Sequence, residues 1–220
     1  MSTVRTRRGY QRVAGVTYDS YVRMREDRSN QHLRMAYHDG VLEIMSPEFR
    51  HDHGSRRIYN VILAYAAAFD VACEPAGSTT FRTGLPGELA GKGREADESF
   101  YIGDVVNEIL NKETLDLAVD PPPSLWVEVD TWGSAKAKLP LYSGLRVPEV
   151  WRYRVRKQKL WFGRLSGDTY TSIDRSDVLP GLTPTLVLDL LVRNANSPSS
   201  AWIKWMINEW FPTHRTEMGL

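Results

Sequence analysis

The stretch that decides the fold reads PPPSLWVEVD at residues 121–130, followed by KLPLY at 138–142 and VPEVW at 147–151. Residues 125–130 alternate Leu and Val with Trp, Glu and Asp, and this period of two is typical of a β-strand. Glu128 and Asp130 therefore lie on one face of the strand, about 7 Å apart at a rise of roughly 3.3 Å per residue. Because buried carboxylates are costly unless a cation or strong donors satisfy them, the strand predicts a charged site.

A third carboxylate, Asp97, lies in the sequence READESFYI at residues 94–102, after the glycine-rich loop of residues 84–93. An oxygen-only set of this kind suits magnesium or manganese better than zinc. Lys138 follows on a segment that we expect to be helical. Carboxylates with a nearby lysine are the minimal set for metal-assisted hydrolysis of a phosphodiester.

Together these residues resemble a known family. Asp97, Glu128 and Lys138, with the tail of residues 138–151, resemble the Uma-type restriction endonuclease family, which is similar to the PD-(D/E)xK nucleases. The N-terminal sequence DGVLEIMSP of residues 39–47 matches the same family, and the resemblance covers roughly residues 15–191. Three positions depart from the usual pattern: Ala96 replaces a proline, Asp130 stands where the superfamily places its lysine, and Arg146 replaces a glycine.

The resemblance implies an α/β fold: a restriction-endonuclease-like mixed β-sheet flanked by helices, with an N-terminal β-hairpin and a C-terminal helix. It further implies that Asp97, Glu128 and the carbonyl of Val129 ligate Mg²⁺ or Mn²⁺. Lys138 would orient the attacking water or stabilise charge on the phosphate. Three further residues are accessory candidates in this reading: Glu43, Asp130 and Tyr142.

The function implied is metal-dependent endonucleolytic hydrolysis of DNA. Two alternatives stay open: a catalytically weak or inactive nuclease fold that binds nucleic acid or protein, and a hydrolase of small phosphoesters. The intact carboxylate set favours the enzyme, whereas Asp130 and the short segment between Glu128 and Lys138 favour the inactive module. No Walker pattern is present in the sequence, so a nucleotide-driven motor is not expected.

The charge and composition of the chain limit the kinds of partner that we expect it to bind. The 220-residue chain has 28 Lys and Arg against 27 Asp and Glu, a net charge of +1. Attraction to DNA must therefore come from local patches. Arg152, Arg154 and Arg156 alternate on a predicted strand, where they either contact nucleic acid or protect a sheet edge from aggregation. The single cysteine, Cys73, favours a reducing cytoplasm, and we find no signal-peptide core and no apolar run of membrane-spanning length.

The chain divides into three predicted parts. Residues 1–14 form a flexible basic arm, residues 15–195 the restriction-endonuclease-like domain, and residues 196–220 a C-terminal amphipathic helix and tail. Within the domain, Asp39-Gly40 between two apolar alternations predicts a β-hairpin.

The C-terminal helix should begin at Ser197-Pro198 and stop at Pro212. Its apolar residues recur at helical spacing, with two tryptophans beside them. This face either covers the core of its own domain or packs against a second copy in a homodimer. The residues concerned are Ile203, Met206, Ile207 and Trp210.

Overall fold

The computed structural model describes residues 5–7, 10–30, 33–45, 49–77, 79–83, 92–130, 139–193 and 196–220. Its strands are β1 (Arg5–Arg7), β2 (Tyr10–Ala14), β3 (Arg34–His38), β4 (Val41–Met45), β5 (Cys73–Pro75), β6 (Thr80–Thr83), β7 (Lys92–Glu95), β8 (Glu98–Ile102), β9 (Leu125–Asp130), β10 (Glu149–Arg154), β11 (Lys159–Ser166) and β12 (Thr169–Ile173). Its α-helices are α1 (Tyr18–Glu26), α2 (Phe49–Phe69), α3 (Val106–Ile109), α4 (Leu139–Gly144), α5 (Pro184–Arg193), α6 (Ser199–Trp205) and α7 (Phe211–Met218).

The strands form two sheets. The N-terminal sheet is antiparallel, in the order β1-β2-β4-β3-β7-β6. The β3–β4 hairpin predicted from the sequence is present: Asp39 and Gly40 have φ angles of 47° and 75°. A two-residue turn with both φ angles positive matches the right-handed twist of the strands, which is why Asp-Gly is favoured there.

The N-terminal segment differs from the expected flexible arm. Residues 5–7 and 10–14 pair with each other as β1 and β2, and β2 pairs with β4, so this part of the chain extends the N-terminal sheet. Arg12 of β2 lies opposite Glu43 of β4, with 3.8 Å between Nε and Oε1. Strand β2 therefore lies between β1 and β4, and β1 forms the edge of the sheet.

The second sheet is mixed, in the order β12-β11-β10-β9-β8-β5. Strands β9 and β10 are parallel and are connected through α4, whereas the other neighbouring strands are antiparallel. Every residue of β9 is buried, as expected for a strand covered on both faces. This mixed sheet with flanking helices confirms the predicted restriction-endonuclease-like α/β class.

The two sheets are connected where β7 ends and β8 begins. Strand β7 ends at Glu95 in the N-terminal sheet, and β8 begins at Glu98 in the mixed sheet. Ala96 and Asp97 form the corner between them, and both are buried. The corner brings an acidic segment against β9, the strand that carries Glu128.

Helix α2 covers one face of the mixed sheet. Its residues Ile58, Val61 and Ile62 are fully buried in a core that also contains Val127 and Val129 of β9. On the opposite face, Trp126 packs in a second core against Tyr142 of α4, with 5.5 Å between ring centroids. Burial of apolar area on both faces is the dominant stabilising contribution to such a layered fold.

The C-terminal helices pack against α2 of the same chain. Trp202, Met206 and Trp210 are buried in the same core as α2, and the guanidinium of Arg57 lies 3.8 Å from the Trp202 ring centroid. The first of the two alternatives for this apolar face is therefore the observed one. Ile203 and Ile207 on the same face are only partly buried, and association of two copies through this helix stays a prediction.

The predicted end of this helix at Pro212 is wrong. Residues 206–210 form a π-helical turn between α6 and α7, in which Phe211 N–H bonds to Met206 O, and the helix continues to Met218. Pro212 falls in the first turn of α7, where a missing N–H is tolerated. Among the described residues, no helix is both long and apolar enough to cross a membrane.

Candidate active site

Asp97 occupies the corner between the two sheets and is hydrogen-bonded to β9. Its Oδ2 accepts the backbone N–H of Val129 at 2.7 Å. Val129 follows Glu128, so this bond brings the two carboxylates predicted as metal ligands to the same part of the central strand. Asp97 is 4% exposed and Glu128 is 1% exposed. The structure therefore places Asp97 against the backbone of the residue that directly follows Glu128 on β9.

An arginine is bound to the other oxygen of Asp97. Arg34, the first residue of β3, places Nη1 2.5 Å from Asp97 Oδ1, and its side chain is mostly buried. A guanidinium on a buried carboxylate compensates its desolvation through a charge-assisted hydrogen bond. The sequence reading missed Arg34, because the pair is separated by 63 positions and no local pattern indicates it.

Glu128 is oriented by its own strand. The indole Nε1 of Trp126 donates to Glu128 Oε1 at 2.8 Å, since residues two apart on a strand share a face. Strand β10 repeats this arrangement, with Trp151 Nε1 2.6 Å from Glu149 Oε1. In both strands, a tryptophan donor holds a buried carboxylate in one orientation.

Asp130 is bound to Arg152 of the neighbouring strand. Arg152 Nη2 lies 3.3 Å from Asp130 Oδ2, and both side chains are nearly buried. Of the three arginines expected to form a basic stripe on one strand, only Arg152 and Arg154 lie on β10, and the placement of Arg156 there is wrong. Strand β10 ends at Arg154, and Arg156 lies in the 3₁₀ turn Val155–Lys157 that follows, because the strand does not continue into the tight turn.

The remaining predicted site residues have separate positions. Glu43 lies on β4 and pairs with Arg12. Tyr142 is fully buried in the core against Trp126, and so contributes to packing. Lys138 lies outside the described residues and precedes α4 directly in the sequence.

Glu98 is a further buried acid that the sequence reading did not single out. It is 2% exposed, and Arg56 of α2 lies 3.4 Å from its Oε1. Burial raises the pKa of Glu98 to about 7, although Arg56 and Arg34 act in the opposite direction. Within the described residues, its Oε2 has no hydrogen-bond partner. In the sequence, only its position directly after Asp97 could have indicated Glu98 as a residue of this site.

The donor chemistry of this region fits a divalent cation. The carboxylates of Asp97 and Glu128 and the backbone carbonyl of Val129 are hard oxygen donors, and Oδ1 of Asp97 holds the cationic guanidinium of Arg34. The described residues contain no cluster of three or more His, Cys, Asp or Glu side chains arranged to hold a metal. These residues would thus supply part of a coordination shell, with water or phosphate oxygens as the rest, as is usual for Mg²⁺.

Comparison with known proteins agrees with the geometry. The Uma2 family model, described as a putative restriction endonuclease, matches residues 18–194, which is most of the chain. No curated protein sequence matches the chain significantly.

Proposed function

Because the chain belongs to the Uma2 restriction endonuclease family, we propose that it hydrolyses DNA phosphodiester bonds in a divalent-metal-dependent reaction. The observation that carries the proposal is the 2.7 Å hydrogen bond between Val129 N–H and Asp97, which brings Asp97 beside the strand that carries Glu128. Nucleases with restriction-endonuclease-like folds generally depend on divalent metals. The cofactor proposed is Mg²⁺ or Mn²⁺.

In this proposal the protein supplies a prearranged set of oxygen ligands. Asp97 and Glu128, with the Val129 carbonyl, would hold the metal. The chemistry that a bound metal supplies is polarisation of the scissile phosphate and activation of a water molecule. The hydrogen bonds from Val129 N–H and Trp126 Nε1 keep the two carboxylates in fixed orientations.

Lys138 and two arginines are the residues proposed to act on the phosphate and on the DNA backbone. Lys138 would stabilise negative charge that develops on the phosphate. Arg154 and Arg156 would contact the DNA backbone, whereas Arg152 is already paired with Asp130. The single cysteine, Cys73, agrees with a reducing compartment such as the cytoplasm.

One observation favours the alternative of an inactive nuclease fold. Arg34 neutralises Asp97 and Arg152 neutralises Asp130, so these acids are charge-balanced within the chain. A fold that has lost its metal would be stabilised by such internal pairs, because unpaired buried carboxylates are costly. In that case the protein would bind nucleic acid or protein without cutting.

A plasmid-nicking assay tests the proposed function. Supercoiled DNA incubated with the full chain and Mg²⁺ or Mn²⁺ should be converted to nicked or linear DNA, and EDTA should stop the reaction. Asp97→Asn and Glu128→Gln should each reduce the rate about 10²-fold or more, the scale of losing one strong transition-state interaction. Asp168→Asn is the matched control, because Asp168 is a highly exposed surface carboxylate. The proposed endonuclease function is wrong if the wild type and the three variants nick DNA at equal rates, or if none of them nicks DNA.

A further inference from the structure

The corner between the two sheets contains three buried carboxylates, and each is paired with an arginine from a different element. Glu95 pairs with Arg25 of α1 at 2.5 Å, Asp97 with Arg34 of β3 at 2.5 Å, and Glu98 with Arg56 of α2 at 3.4 Å. The three acids lie within four residues, 95–98. The three pairs share the same chemistry and differ in which acid they neutralise.

Arg34 is bound to the acid that is proposed to hold the metal. Oδ2 of Asp97 already accepts the Val129 N–H, and Oδ1 accepts Nη1 of Arg34. Both oxygens thus have a donor before any metal binds. The guanidinium is protonated at all physiological pH values, so loss of a proton cannot remove this cation.

A divalent cation and the Arg34 guanidinium compete for Asp97. Both are positive, and at contact distance in a partly buried site like charges repel strongly. A metal that coordinates Oδ1 comes into close contact with Nη1 even at the second lone pair of that oxygen, so the two cations repel each other. This repulsion weakens the ion pair or moves Arg34 away from Asp97, and either change reduces the apparent affinity for the metal.

We propose that Arg34 is the resident counter-cation of Asp97, which the divalent metal displaces on binding. This inference rests on the proposed function, since it assumes that Asp97 is a metal ligand. It assigns Arg34 a positioning role: in the metal-free protein it holds Asp97 in place and keeps the buried corner electrically balanced. It also means that Arg34 sets the metal concentration at which the site fills.

Calorimetric titration of the full chain with Mn²⁺ in the absence of DNA tests the inference. Arg34→Gln should bind Mn²⁺ about tenfold more tightly than the wild type or better, because the competing charge is gone. Arg56→Gln is the matched control, because it also removes one positive charge from the corner. Arg56 pairs with Glu98 and not with Asp97. The Mn²⁺ affinity of this variant should therefore stay within about threefold of the wild type. Arg34→Lys, which keeps a cation there, should bind like the wild type. Adding Asp97→Asn to Arg34→Gln should abolish the gain.

Thermal unfolding gives a second measurement that does not depend on catalysis. Without metal, Arg34→Gln should melt below the wild type, because Asp97 has lost its partner. Saturating Mn²⁺ should raise its Tm more than that of the wild type, in proportion to its tighter binding. If the variant is unfolded without metal, Mn²⁺ should restore a cooperative transition, and a chain that stays unfolded with Mn²⁺ overturns the inference.

The outcomes separate this inference from the proposed function. If Mn²⁺ binds neither the wild type nor any variant, both fail. If the wild type binds Mn²⁺ and Arg34→Gln binds it no more tightly than Arg56→Gln, Arg34 is not a competitor and the metal-dependent function still stands. If Arg34→Gln alone binds Mn²⁺ tightly, the displacement role is supported.

Discussion

The backbone N–H of Val129 donates to Oδ2 of Asp97 across 2.7 Å, and this hydrogen bond joins the corner between the two sheets to the central strand β9. Together with the Arg34 ion pair on the other oxygen, it makes Asp97 a structural residue as well as a proposed ligand. A carboxylate that performs both roles cannot be removed without affecting the fold. A substitution of Asp97 should therefore reduce the stability of the fold as well as metal binding.

Asp97→Ala should lower the free energy of unfolding by about 3 kcal/mol, because it leaves the mostly buried Arg34 and the Val129 N–H without their acceptor. Urea denaturation measures this loss. Glu43→Ala is the control, since its pair with Arg12 is longer and half-exposed, and it should cost less than about 1 kcal/mol. Equal stability of Asp97→Ala and the wild type would contradict the structural role.

Glu98→Gln should remove a pH-dependent loss of stability. Burial raises the pKa of Glu98 from 4.5 to about 7, so the folded protein holds this proton more tightly than the unfolded chain does. The associated stability is fully present below about pH 4.5 and is lost as the pH rises through about 7. The glutamine variant does not titrate, so from pH 5 to pH 8 it should gain up to about 3 kcal/mol relative to the wild type.

Urea denaturation at pH 5 and pH 8 checks this expectation. The exposed Glu217→Gln is the control, and its difference from the wild type should be the same at both pH values. A Glu98→Gln variant with an equally constant difference would show that Glu98 is ionised at both pH values in the folded protein.

Glu149→Ala should destabilise the fold by about 3 kcal/mol without changing Mn²⁺ affinity. The carboxylate of Glu149 accepts four hydrogen bonds. The donors are Trp151 Nε1, Ser176 Oγ and the backbone N–H groups of Asp177 and Val178. Its loss leaves these donors unsatisfied in a buried position. Urea denaturation and calorimetry measure the two quantities, with Asp168→Ala as the exposed control. A loss of Mn²⁺ affinity in a folded Glu149→Ala protein would contradict the purely structural role.

Lys138→Ala should leave Mn²⁺ affinity nearly unchanged and reduce DNA cleavage by roughly 10²-fold or more, because it removes a donor to the transition state. Single-turnover nicking and calorimetry separate the two effects. Lys136→Ala, two positions earlier, is the matched control and should cleave at the wild-type rate. A joint fall in affinity and rate would make Lys138 structural, and an unchanged rate would exclude it from the chemistry.

Trp202→Ala should cost about 3–5 kcal/mol, the usual range for removing a large aromatic side chain from a core. Its ring is 1% exposed and lies against Arg57 of α2. Lys204→Ala, at an exposed position on the same helix, is the control. Because the apolar face of the helix is buried within the chain, a chain ending at Asn196 should lose cooperative unfolding. A truncated chain with wild-type stability would contradict this packing.

The sequence by itself was sufficient for the elements that local patterns encode. Alternation defined β9, Asp39-Gly40 defined the β3–β4 turn, and residue chemistry indicated Asp97 and Glu128 as the acids of interest. These features depend on backbone geometry and side-chain period over a few residues, which are local properties. They were also enough to identify the family.

Only the tertiary structure decided how those acids are held. The pairing of Arg34 with Asp97 joins residues 63 positions apart, and the corner at Ala96 exists because β7 and β8 belong to different sheets. The basic N-terminal segment became a pair of strands because β4 offered an edge to pair with. Charge pairing and edge pairing are satisfied by whichever groups the packed chain brings together, so no local pattern in the sequence specifies them.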